Sequence, residues 1–112
     1  MQPLIDRLQA MLAQGQDNLL LRFSLGKGYA EQGRPEKARE HLEAAVAFDP
    51  EHSAAWKWLG RACLELGDVP GARRAWQAGL AASERRGDVQ AGKEMRVFLK
   101  RLDKRQGQEP AS

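Results

Sequence analysis

Two histidines, a single cysteine and three tryptophans are the side chains with the most chemistry to offer. His41 and His52 lack metal-ligand spacing and read as surface or turn histidines. Cys63 can form neither an intramolecular disulfide nor a cysteine metal site, and it falls where packing is a better reading than nucleophilic attack. Ser24, Ser53 and Ser83 lack the glycine context of a nucleophile elbow. Gly26-Lys27-Gly28 resembles a phosphate loop only loosely, fails its spacing and lies inside a predicted helix. Trp56, Trp58 and Trp76 could stack on bases. Trp56 and Trp76 fall on the core side of the pattern described below, which leaves Trp58 at a helix seam or on a surface. With no acid–base pair and no activated nucleophile, the sequence argues against an enzyme and calls for no cofactor or metal.

The elements that hold these side chains are helices. Ala, Leu, Gln, Glu, Lys and Arg dominate the 112 residues, and threonine is absent. Such side chains lose little rotamer freedom in a helix, so the whole chain leans α. Helices are predicted over 3–14, 18–32, 35–48, 53–66, 70–85 and 88–105, forming one domain over 1–105, with residues 106–112 as a disordered tail. The N-terminal stretch interrupts its apolar residues with polar ones, unlike a signal peptide, and no segment is long enough to span a membrane. The expected location is cytoplasmic. The net charge of +3 is uneven: the excess of Lys and Arg lies in residues 84–105.

Shifting the sequence against itself by 34 residues brings eight identities into line between 19–52 and 53–86. Leu25-Gly26 falls on Leu59-Gly60, Gly33 on Gly67, and Ala38 on Ala72. Gly33 and Gly67 fit the left-handed position just past a helix, while Pro35, and Asp68 with Pro70, fit helix starts. Gly26 and Gly60 lie mid-helix at a cost of about 1 kcal/mol each relative to Ala. Close approach of a partner helix would explain them, with Ala38 and Ala72 as the small residues opposite.

Period and residue types together make the chain resemble the tetratricopeptide repeat. The first copy carries Leu25, Gly26, Tyr29, Ala38, Leu42, Ala45 and Pro50; the second carries Trp56, Leu59, Gly60, Cys63, Ala72, Trp76 and Gly79. Arg22 stands where the first aromatic belongs, Cys63 replaces the tyrosine, and Glu84 replaces the closing proline. The resemblance implies an all-α solenoid of antiparallel helix pairs. Its two motifs are flanked by an N-terminal half-repeat helix and a C-terminal capping helix. In the cap, an insertion of two residues around 86–88 puts Met95 and Leu99 on buried positions and Arg96 on the glycine position.

In this family ligands lie on the face lined by the first helix of each pair. The corresponding positions are Leu20, Phe23, Lys27, Ala30 and Glu31, then Ala54, Lys57, Arg61, Leu64 and Glu65. Lys57 and Arg61, four apart, share a helix face and with Lys27 make a basic cluster. They resemble part of a clamp for a peptide's terminal carboxylate, although the asparagines of that clamp are missing. The competing reading pairs Lys57 and Arg61 with Glu65 and nearby acids, and covers Leu20, Phe23 and Leu64 by helix curvature or by the first helix.

The function implied is a non-catalytic scaffold or adaptor that binds a peptide or protein segment in this groove. The chain itself is expected to be a monomer or weak homodimer. The alternative is an RNA- or anion-binding module using the basic last helix. A cap accounts for that helix without nucleic acid. Its apolar stripe Met95, Phe98, Leu99 and Leu102 faces inward, and Lys100, Arg101, Lys104 and Arg105 complement the helix dipole.

Overall fold

The computed structural model describes residues 3–108. Six α-helices follow one another: α1 (Pro3–Ala13), α2 (Leu19–Glu31), α3 (Pro35–Phe48), α4 (Ser53–Glu65), α5 (Val69–Arg86) and α6 (Val89–Gln108). The described residues contain no strand. All six expected helices are present, and most boundaries shift by a residue. α6 runs on to Gln108, past the expected end of the domain, and residues 109–112 of the expected tail lie outside the described residues.

Local chemistry sets the helix ends; the turn that closes the first helix is the same in both repeats, whereas α3 opens on Pro35 without the side-chain cap that Asp68 gives α5. Gly33 (φ 73°) and Gly67 (φ 80°) take the left-handed conformation, where a Cβ would be strained. Past each, a backbone N–H reaches back across the last turn: Arg34 to the Tyr29 carbonyl (3.0 Å) and Asp68 to the Cys63 carbonyl (2.9 Å). Side-chain acceptors start α2, α4 and α5. Asn18 Oδ1 accepts from Leu21 N (2.9 Å), His52 Nδ1 from Ala55 N (3.1 Å) and Asp68 Oδ1 from Gly71 N (2.9 Å).

α2 packs on α3, α4 on α5 and α5 on α6, while α4 also touches both α2 and α6. The first helices of the pairs, α2, α4 and α6, therefore form one continuous side of the stack. The core runs along the seam between the two rows, through Leu25, Leu42, Leu59, Trp76 and Met95. Gly26 and Gly60 are close-approach sites, but the side chains that meet them are Leu42 and Trp76, one helical turn beyond the expected Ala38 and Ala72. A Cβ on Gly26 would lie 2.5 Å from Leu42 Cγ, and one on Gly60 would strike the Trp76 indole. The indole is fixed there because its N–H donates to the Lys57 carbonyl (3.1 Å).

α6 packs in the register of the insertion, except that Leu99, expected on a buried position, is half-buried at the edge of the core. Met95 is fully buried against Gly79 and Leu102 is also buried, whereas Arg96 is exposed and pairs with Glu84 at 3.2 Å. Asp88 fixes the start of the helix: one carboxylate oxygen accepts from Ala91 N (3.2 Å) and the other from the Ser53 hydroxyl (2.7 Å). Both contacts hold the Asp88 carboxyl below the usual carboxylate range, the Ser53 hydrogen bond foremost.

His41 corrects the sequence reading. It is 1% exposed, stacked on Tyr29 with ring centroids 5.6 Å apart. Arg22, the residue in the aromatic's place, donates to His41 Nδ1 (3.0 Å) and holds Asp17 with two hydrogen bonds (2.8 and 3.0 Å). The Gln9 amide lies 3.5 Å from His41 Nε2 and donates to the Tyr29 hydroxyl (2.8 Å). Helices α1, α2 and α3 thus meet at a hydrogen-bonded network, and burying His41 is tolerable because its ring nitrogens have partners. His52 is half-buried and caps α4, a turn histidine with a structural task.

Candidate functional site

The face built by α2, α4 and α6 carries the residues expected to bind. At one end Leu20 is 73% exposed, in the first turn of α2. One turn on, Phe23 is half-buried against the His52 ring, with centroids 4.8 Å apart. It packs on the edge of the core and still shows part of its ring. Glu31 and Glu65 are exposed at the ends of α2 and α4.

The centre of the face is a tryptophan flanked by two cations. Lys27 Nζ on α2 lies 5.8 Å from the Trp58 ring centroid, and the Arg61 guanidinium on α4 lies 4.5 Å from it. Both are within the range of cation–π attraction. Neither cation has an acidic partner among the described residues, so each keeps its charge available to solvent. Trp58 was the unplaced tryptophan of the sequence, and it is the piece of this site that the repeat pattern missed. Its counterparts are Ser24 in the first repeat and, with the two-residue insertion, Glu94 in α6, so no aromatic there could have marked the position.

Lys57 is engaged differently. Its ammonium pairs with Glu94 on α6 at 3.3 Å, and its side chain is half-buried. The expected partner Glu65 is on the same helix, but the α4–α6 approach brings Glu94 closer. Lys57 therefore ties two helices together, while Arg61 is the free cation of the predicted pair.

Beyond Arg61 a cavity of 260 Å³ opens between α4 and α6. Leu64, Trp76, Phe98 and Leu102 give it apolar walls, and Trp76 and Phe98 pack with ring centroids 5.0 Å apart. Arg61, Arg101 and Arg105 stand around it together with Glu65. Leu64 was expected to contact a ligand and does line this opening. The last helix was expected to bind only in the RNA- or anion-binding alternative, not as a wall of the groove.

Cys63 faces the other way. It is buried, and burial pushes its thiol above the ordinary range, as suits a packed side chain. Among the described residues no helix is long and apolar enough to cross a membrane.

Known proteins align with this arrangement. A model of the tetratricopeptide repeat matches residues 23–90. A TPR repeat-containing protein of Pseudomonas aeruginosa, PA0015, is 54% identical over 101 residues, covering 90% of this chain and 96% of its own. The solution structure of BPP2914 from Bordetella parapertussis superposes with a TM-score of 0.83 at 55% identity, over 97% of this chain and 95% of that one. The Sgt2 TPR domain of Aspergillus fumigatus superposes with a TM-score of 0.70 at 26% identity, over 96% of this chain and 73% of that one.

Proposed function

The chain belongs to the tetratricopeptide-repeat family, and from that premise we propose that it is a non-catalytic module that binds a protein segment along the face of α2, α4 and α6. One observation carries the reading: Trp58 is flanked by Lys27 and Arg61 on an open face, and no acid neutralises either cation among the described residues. Tryptophan and arginine are among the side chains most enriched at the hot spots of protein interfaces. Leu20, Phe23 and Leu64 add apolar surface along the same side, with Glu31 and Glu65 as its acidic rim. A heat-shock cognate co-chaperone of Aspergillus fumigatus, sgt12, is 41% identical over 54 residues, 48% of this chain and 16% of its own length, and that likeness agrees with a protein partner.

The RNA-binding alternative draws less support. The basic residues of α6 are divided: Arg96 pairs with Glu84, Arg101 and Arg105 line the cavity beside α4, and Lys93, Lys100 and Lys104 are exposed. A salt titration separates the two, because phosphate-dominated binding falls steeply with salt.

The test is a selection of displayed peptides on the full chain, followed by binding measurements with Trp58→Ala and Arg61→Glu. Each substitution should weaken the selected peptides by about tenfold or more while the melting temperature stays near its original value. Peptides that bind both variants as well as the unaltered protein would overturn the assignment of this face.

A further inference from the structure

We propose that the cavity between α4 and α6 receives an apolar side chain of an acidic partner segment, whose flanking carboxylates are held by Arg61, Arg101 and Arg105. This rests on the groove reading above and names the chemistry of its occupant. Size is the first argument. At 260 Å³ the cavity is below the range of sites that enclose a cofactor or drug-sized molecule, but it accommodates one leucine- or phenylalanine-sized group. Its floor suits that group: Trp76 and Leu102 are 2% exposed, so their edges are presented only through this opening.

Charge is the second argument. Three arginines and one glutamate surround the opening, and no ion pair occupies Arg61, Arg101 or Arg105 among the described residues. Nearby, Lys57 pairs with Glu94, Arg73 with Asp103 and Arg96 with Glu84. Arg101 and Arg105 are four apart and share one face of the helix. The helix dipole does not explain them both. Its influence is confined to the last turn, and α6 continues to Gln108, so Arg105 is in that turn and Arg101 is not. A planar guanidinium that can hold a carboxylate with two parallel hydrogen bonds is the group suited to this partner.

The experiment uses the full chain and three synthetic peptides, followed by NMR chemical shifts. The first is an acidic peptide centred on a leucine. The second replaces each of its carboxylates by the amide, and the third replaces its leucine by glycine. Only the first should bind at low salt, shifting Leu64, Phe98 and the Trp76 indole. Arg101→Gln/Arg105→Gln should weaken it by about tenfold or more. If that double variant melts at a lower temperature, Arg61→Gln reads the same charge from α4. Equal binding of the amide or glycine peptide, shifts confined to α3 and α5, or displacement of the acidic peptide by a single-stranded RNA oligonucleotide overturns the proposal. Displayed peptides that need Trp58 but ignore Arg101 and Arg105 would overturn this pocket and leave the groove. Indifference to all three would overturn both.

Discussion

The two repeats of this chain share a backbone plan and fill it with opposite chemistry. Arg22 and His41 in the first become Trp56 and Ala75 in the second, 34 residues on; Tyr29 becomes Cys63, and Leu42 becomes Trp76. The first pair is closed by a hydrogen-bonded network from Asp17 through Arg22, His41 and Gln9 to Tyr29. The second is closed by two indoles, whose N–H groups donate to the carbonyls of Pro50 (2.7 Å) and Lys57 (3.1 Å). The lesson is that the repeat specifies helix ends and approach distance, while the filling is free to be polar or aromatic as long as the buried ring nitrogens find partners.

The largest expected effect comes from removing what covers each repeat. Deleting residues 89–112 takes away Ala91, Met95 and Leu102, all buried, and uncovers Gly79 and Trp76. Cooperative unfolding followed by circular dichroism should be lost. Deleting residues 1–13 removes Ile5 as the one buried apolar side chain of α1 and should leave a sharp, lower transition. A sharp wild-type melt after the C-terminal deletion would show that α6 is an appendage.

Next come the mid-helix glycines. Gly60→Leu and Gly26→Leu should each destabilise by about 1–3 kcal/mol through overpacking. The second repeat should lose more, because a hydrogen-bonded indole yields less readily than the Leu42 side chain. Denaturant titration of both variants checks the order, and equal losses would break the contrast.

Where the repeats are built alike, their losses should match. Gly33→Ala and Gly67→Ala each place a Cβ in the left-handed region, at a cost of about 1–2 kcal/mol. A clear difference between them would mean that the turns are not equivalent.

The smallest effect belongs to the first repeat alone. Burial holds the His41 imidazole below its ordinary range; Glu40 opposes the shift and Arg22 adds to it. The unfolded chain therefore takes up the proton more readily. Stability is full above the ordinary histidine value of 6.5 and declines as the pH falls below it, until the folded value is passed. His41→Gln should flatten that part of a melting-temperature profile between neutral and mildly acid pH.

Much of this was legible in residue types. The glycines at fixed intervals, the helix-opening prolines and Asp68, and the apolar stripe of the last helix all announce backbone events that a single residue decides. The register of α6 followed from Met95 and Leu99, although the strict period fails there. What was not legible depends on where long side chains go. Lys57 could reach several acids, and its choice of Glu94 follows from the α4–α6 approach. His41 has no apolar signature, so its burial becomes evident only once Arg22 and Gln9 are seen around it. Trp58 gains its meaning from Lys27, which is 31 positions away in the sequence.

Arg96 occupies the position where a repeat would carry its close-approach glycine, and it is held by Glu84 at 3.2 Å with both side chains in water. A further helix pair, or the first helix of a second copy, could dock there only by dehydrating both charges, at several kcal/mol per ion. Head-to-tail contacts grow into filaments whenever their rotation does not close a ring. The pair that finishes one molecule thus also works against the addition of the next, and keeps a short solenoid from becoming the seed of an open-ended polymer.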